Sequence, residues 1–308
     1  MFSDLPKLFD RNFFVGFLLP ILGFFLVTIP SLIILPGAKL FIDFLKANSA
    51  IGASIIAIFA WLAAMLLLVL NRSIVRAKEG YGRFNPAKLW APLERARFKR
   101  LYSKIDAVEK AYEEAQVDGK QFPPNLALRR RRLARQRAER FPETQDLLLP
   151  TAFGNVVRSF EVYPRVMYGL DGVSGWDRLI AVMPKDYREV VDSAKVQVDF
   201  WVNTWILAVA FVVEHIVLDF NLRQGGIAIL LGALGAWLAS RRAREAACDW
   251  GATVRSAFDV YLPALREALR LPVPLNRGDE RRIWTTFSQA VTYRSVESLP
   301  DLPSVKES

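Results

Sequence analysis

Apolar residues in this chain fall into two blocks of paired runs. Between and after the blocks lie long stretches in which apolar positions recur every three or four residues. The first block holds Phe13 to Leu35 and Ile51 to Leu70, and the second holds Phe200 to Leu218 and Gly225 to Ser240. The run FWVNTWILAVAFVVEHIVL covers 19 residues; as an α-helix it spans roughly 28 Å, close to a hydrocarbon core of about 30 Å. The fourth run, GIAILLGALGAWLAS, is shorter and stops against Arg241 and Arg242. The pattern predicts four membrane-crossing helices in two hairpins, the second closed by the polar turn Asp219 to Gly226.

The first run carries Pro20 and Pro30. Each removes a backbone donor and crowds the preceding turn, so the helix is expected to bend around its neighbours. Its apolar part is too long for a cleaved signal peptide, and no A-x-A-like site follows. Leu40, Phe41, Phe44 and Leu45 share one side of the 38–47 segment, the pattern of an interfacial helix. Ala53, Ala57, Ala60 and Ala64 fall on one face of the second run, and Ala228, Gly232, Ala236 and Ser240 on one face of the fourth. Small residues at that spacing let helices approach closely in lipid, here within one bundle or between copies of the chain.

The polar stretches keep a helical period. Phe98, Leu101, Ile105, Val108, Tyr112 and Ala115 step by threes and fours, a narrow seam that calls for an antiparallel partner helix. After Pro123 and Pro124, with Asn125 as the expected cap, comes LRRRRLARQRAER around a thin stripe of Leu126, Leu133, Ala138 and Phe141. Phe153, Val156, Val157 and Phe160 mark a further amphipathic helix. The next stretch, EVYPRVMYGLDGVSGWDRLIAVMP, is dense in turn formers and reads as a packed loop. Tyr187, Val190 or Val191, Ala194, Val198 and Trp201 carry helical period into the third run. Ala247, Trp250, Val254, Phe258 and Tyr261 continue it out of the fourth, so two antiparallel stalks are expected. A last short helix begins within 274–290, and the tail SLPDLPSVKES has a disordered composition.

The expected fold class is therefore all-α: four transmembrane helices with a helical cytoplasmic domain. The predicted segments are a membrane hairpin at 1–70, a cytoplasmic helical domain at 71–199, a second hairpin at 200–240, and cytoplasmic helices with a tail at 241–308. Composition agrees: 308 residues, 52% hydrophobic, 23% charged, mean hydropathy +0.19 and a formal charge of +10. Lys and Arg set the orientation. Lys7, Arg11, Arg72, Arg76, Lys78, Arg83, Lys185, Arg188, Lys195, Arg241, Arg242 and Arg244 flank one side of the runs, against Lys39, Lys46 and Arg223 on the other. Both termini and the middle segment are thus expected in the cytoplasm.

The chain has a single cysteine, Cys248, and a single histidine, His215. An intramolecular disulfide and imidazole- or thiolate-rich metal sites are excluded. There is no Walker, GxGxxG, HExxH or GxSxG pattern, so no cofactor is expected and the familiar enzyme classes lose their support. Two groups of residues remain as candidate sites. The first is Arg129, Arg130, Arg131, Arg132, Arg135 and Arg137, a basic helix face that could meet anionic lipid headgroups, an acidic protein surface or plain solvent. Nucleic acid is disfavoured, because neither a recognition fold nor exposed stacking aromatics accompany it. The second is Glu214, His215 and Asp219, the ionisable groups in or bordering the third run. An intramembrane acid points to an ion path, whereas Glu214 lies about 6 Å from the end of its run, within snorkelling reach of water or of Arg223. Arg158, Glu161, Arg165, Asp171 and Asp177 form a third, polar grouping suited to fixing the turn-rich stretch in place.

The stretches PTAFGNVVRSFEVYPRVMYGLD, GATVRSAFDVYLPALREALRLPVP and ERRIW resemble an uncharacterised family of bacterial polytopic, four-span membrane proteins. The resemblance implies a bacterial inner (cytoplasmic) membrane location and supplies no catalytic or binding residues. The expected function is a non-enzymatic membrane protein whose cytoplasmic helical domain senses, scaffolds or recruits. Expected partners are the bilayer with its anionic headgroups, further copies of the chain and a cytoplasmic protein. An oligomeric channel or transporter component is the alternative, with an enzyme third.

Overall fold

A computed structural model describes residues 10–32, 43, 49–119, 121–218 and 222–295. Among the described residues every regular element is helical, so the fold class is all-α. Helix α1 comprises a helical turn Arg11–Phe13, a π-helical turn Phe14–Leu18 and an α-helix Leu19–Leu32. Ser49–Glu79 forms α2. A 3₁₀ turn Pro86–Trp90, capped by Asn85, leads into α3, Ala91–Val117, and then α4, Pro124–Arg140. Three short helices follow: α5 Ala152–Glu161, α6 Tyr163–Tyr168 and α7 Gly172–Val182. Two long ones, α8 Lys185–Leu218 and α9 Leu222–Ala268, precede the last, α10 Arg277–Tyr293.

Three stretches are long and apolar enough to cross a membrane: Arg11–Ile29, Ala50–Glu79 and Lys185–Val217. The fourth apolar run is the first part of α9, a helix of 47 residues. The 38–47 segment, apart from Asp43, lies outside the described residues, as do Asp219 and the terminal tail.

The chain divides into two compact units, Met1–Gly82 with Asp192–Ala246 and Arg83–Val191 with Ala247–Ser308. In the first, Phe13, Phe17 and Ile21 of α1 pack with Ala60, Ala64 and Leu67 of α2. The small-residue face of α2 is used in part: Ala60 and Ala64 are buried, whereas Ala53 and Ala57 stay exposed.

The second unit is built on large side chains. Trp284, Phe258, Leu262, Leu265, Leu170, Leu179 and Val156 are among its fully buried groups. Tyr187 at the start of α8 donates its hydroxyl to Thr253 O at 3.0 Å and meets the Tyr261 ring at 5.1 Å, joining α8 to the later part of α9. The turn-rich stretch differs from its expected loop: it forms α6 and α7. Pro164 sits in the first turn of α6, where its missing N–H is no loss, and Gly169 ends that helix at φ +86. Asp171 then caps α7, accepting from Ser174 N at 2.8 Å. Helix α4 also starts differently, at Pro124 with Pro123 as its N-cap residue and no side-chain cap, so Asn125 lies inside the helix.

Candidate functional site

Helices α3 and α4 form a hairpin whose seam is the stripe of threes and fours. Leu101 and Val108 of α3 and Leu133 of α4 are buried, with Ile105, Phe122 and Phe141 packed against them. Phe98 meets Phe141 edge-on at 5.7 Å, and Tyr112 meets Phe122 at 5.1 Å. The arginines of α4 divide into two sets around this seam. Arg130 grips Glu109 with its Nε at 2.9 Å from both carboxylate oxygens and lies 4.0 Å over the Tyr112 ring. Arg137 pairs with Glu143 at 3.3 Å, and Arg135 with Glu139 one turn on. Arg129, Arg131 and Arg132 are exposed and make no ion pair with a described residue. Half of the candidate arginines are thus held in ion pairs within the hairpin, and three exposed cations remain for whatever lies outside. Such a set attracts anionic headgroups by roughly 1 kcal/mol per residue near a charged leaflet, and the attraction fades with salt.

Of the second grouping, Glu214 and His215 lie on α8. His215 is buried, its ring 4.1 Å from that of Phe211, and its Nδ1 lies 2.8 Å from Phe211 O. A carbonyl only accepts, so Nδ1 carries the proton and donates. Glu214 is half-buried and forms no hydrogen bond with His215. Asp219 lies outside the described residues.

A different polar cluster sits in the first unit. Asn203 is fully buried and donates from Nδ2 to Gly16 O at 2.8 Å. Gly16 lies in the π-helical turn, where the widened i→i+5 pattern disturbs the ordinary ladder of carbonyl partners. One turn before Asn203 on α8, buried Asp199 accepts from Asn71 Nδ2 at 3.0 Å and pairs with Lys195. Buried Lys78 donates to Ser240 Oγ at 3.0 Å and places its ammonium 3.8 Å over the Trp205 ring. The Oδ1 atoms of Asn203 and Asn71 are buried without a donor among the described residues. Sequence reasoning missed this cluster. Its one visible trace was the spacing Lys195, Asp199, Asn203, three polar groups on one face at the entrance of an apolar helix.

In the second unit the polar groups tie elements together. Buried Glu94 pairs with Arg97 at 2.6 Å and accepts from Asn155 Nδ2 at 3.1 Å, while Asn155 Oδ1 accepts from Leu149 N at 2.7 Å. Arg158 pairs with Glu161 at 3.3 Å, Asp171 caps α7, and Arg165 and Asp177 are exposed. Tyr163 and Tyr168 both donate to Asp259 Oδ1, at 2.8 and 2.7 Å. Burial, reinforced by the bond to the Asp259 carboxylate, pushes the Tyr163 hydroxyl up to about 12 and raises Tyr168 as well. Among the described residues no three His, Cys, Asp or Glu side chains converge as metal ligands would. The chain matches no protein-family profile, no curated protein and no solved structure.

Proposed function

We propose that this chain is a multi-pass protein of a bacterial cytoplasmic membrane, crossing four times with both termini inside. Its helical second unit scaffolds or recruits at the membrane surface, with the outer arginines of α4 meeting anionic headgroups. The observation that carries this reading is the division of the α4 arginines. Arg130, Arg135 and Arg137 are held by Glu109, Glu139 and Glu143, while Arg129, Arg131 and Arg132 stand exposed on a helix held in place by its own hairpin. The excess of Lys and Arg on one side of the apolar runs supports the orientation. The full chain in anionic nanodiscs should protect α4 from hydrogen exchange more than in zwitterionic discs. Replacing Arg129, Arg131 and Arg132 with Gln, or raising the salt, should remove the difference. Equal protection in both discs would sink the headgroup contact. A cysteine at Ser103 labelled from outside intact cells would overturn the orientation.

A second reading, an oligomeric channel or transporter component, draws on the Asn203–Gly16–Asp199–Asn71 cluster, since polar groups buried within spans mark ion and proton routes. It requires that Asp199→Asn or Glu214→Gln abolish cation or proton flux in proteoliposomes while the fold persists. Vesicles as tight with the wild-type chain as without it would dispose of this reading.

A further inference from the structure

Between α2 and α3 the second unit leaves large apolar side chains uncovered. Phe84 is 89% exposed, Leu89 83%, Trp90 60% and Leu93 41%. They lie on the 3₁₀ turn Pro86–Trp90 and its two flanks. Single exposed apolar residues are ordinary, but four in so short a stretch make a patch that calls for a partner.

The segment is held in shape. Asn85 caps the 3₁₀ turn, its Oδ1 accepting from Ala87 N at 2.9 Å, and Lys88 Nζ donates to Arg83 O at 3.1 Å. Buried Glu94 ties the start of α3 into the second unit, accepting from Asn155 Nδ2 and from Arg97. The apolar groups are thus presented on a fixed scaffold.

Position in the chain and charge identify the partner. Helix α2 closes in a Schellman motif, with Tyr81 N donating to Arg76 O at 3.0 Å and Gly80 N to Ala77 O at 3.1 Å. Gly80 at φ +101 and Gly82 at φ +108 then turn the chain away from the helix axis. Helix α2 runs about 14 Å beyond Leu70, the last residue of its apolar run, and the five residues from Glu79 to Phe84 reach at most about 18 Å. On the four-span reading, on which this inference rests, the segment is therefore tethered within reach of the cytoplasmic face of the bilayer. Its rim is cationic. Arg83, Lys88, Arg95 and Arg97 are exposed, and the one acidic residue between Arg83 and Arg97 is the buried Glu94. A second copy meeting this surface across a two-fold axis would bring like charges together. Trp and Phe interleaved with Lys and Arg suit the membrane–water boundary, where rings sit at headgroup level and cations meet phosphates. We propose that residues 84–93 form a foot that inserts into the headgroup–acyl boundary of an anionic cytoplasmic leaflet.

The test uses the full chain with Cys248→Ser and one introduced cysteine carrying a fluorophore, in phosphatidylglycerol nanodiscs containing nitroxide-labelled phosphatidylcholine. A probe at Leu89→Cys should lose most of its emission to nitroxides near the headgroup and less to nitroxides near the chain end. One at Leu275→Cys, 92% exposed in the same unit, should keep its emission. Adding Trp90→Ser and Leu93→Ser should restore much of the emission at Leu89→Cys. Undiminished quenching there would mean that the fluorophore and not the native side chains seeks lipid, and would overturn the proposal. So would an unquenched Leu89→Cys probe, a probe shielded only as protein concentration rises, or equal quenching at Leu275→Cys. A probe at Ile58→Cys, within the second apolar run, reports the span itself. Its escape from chain-end nitroxides would break the four-span reading, whereas a quenched Ile58→Cys with an unquenched Leu89→Cys would break only the foot.

Discussion

The two units place their side chains by opposite rules. In the first, Val69 is 69% and Leu230 71% exposed, while Asn203, Asp199, Lys78 and His215 are buried. In the second, Trp284 and Phe258 are each 1% exposed and the outer surface of α4 is arginine. The contrast follows from the medium each unit requires. In water, removing apolar surface from solvent favours folding, so large side chains are buried. In lipid the surroundings are already apolar, so association leans on close packing and on polar groups that find partners inside. The amide of Asn203 on the Gly16 carbonyl and the aromatic core around Trp284 therefore serve the same end by different physics.

The sharpest way to probe that contrast is to truncate one side chain of each kind. Trp284→Ala should destabilise the second unit by about 3–5 kcal/mol, the usual cost of emptying a buried indole site. Chemical denaturation in detergent with limited proteolysis of the 83–191 region would measure it. A loss below about 1 kcal/mol would mean that α10 does not close the core. In the first unit, Asn203→Leu removes a polar tie worth about 1–2 kcal/mol at most in a membrane setting and leaves Gly16 O without its donor. Its effect should appear as a modestly lower melting temperature in detergent; a more stable variant would show that the amide does not hold α1 to α8.

A smaller effect is expected at the tyrosine pair. Tyr163 and Tyr168 have raised folded pKa values, through burial first and the bond to Asp259 next. An acid whose folded pKa is raised binds its proton more tightly when folded. Its contribution is therefore complete below the unfolded value near 10 and is lost as pH climbs through about 12. Asp259→Asn should lower both phenol pKa values and bring alkaline unfolding of the second unit to lower pH. Ultraviolet titration of phenolate absorbance would read both changes, and an unmoved titration would mean that Asp259 does not hold the pair.

Legibility in the sequence followed the range of each interaction. The α3 seam could be read directly, because an amphipathic helix writes its buried face in steps of three and four. The partition of the arginines could not: Arg130 and its partner Glu109 stand 21 residues apart, and only the hairpin brings them together. The stretch around Pro164, Gly169 and Gly172 reads as a loop yet folds as two short helices, since the same residues that break helices also start and stop short ones. At Gly172 an added Cβ would lie 2.2 Å from Glu161 O, a constraint set by how closely the start of α7 approaches the end of α5. The Asn203 cluster left only a spacing, because the carbonyl it needs belongs to a residue 187 positions earlier.

The π-helical turn at Phe14–Leu18 sets the phase of everything after it in α1. Such a turn holds about one residue more than an α-helical turn of the same rise, so it acts as a one-residue insertion absorbed within the helix. Deleting one residue there would restore a uniform α-helix with its two ends still in phase, whereas winding all the residues of the turn as α-helix would rotate the preceding segment by about 100° relative to Pro20 and Ile21. In the second case Phe13 would swing out of the seam with Ala60 and Ala64 while Ile21 stayed in place. The extra residue thus works as a phase adjuster, letting one helix show its apolar face to the same neighbour at two heights that a regular pitch would bring out of step.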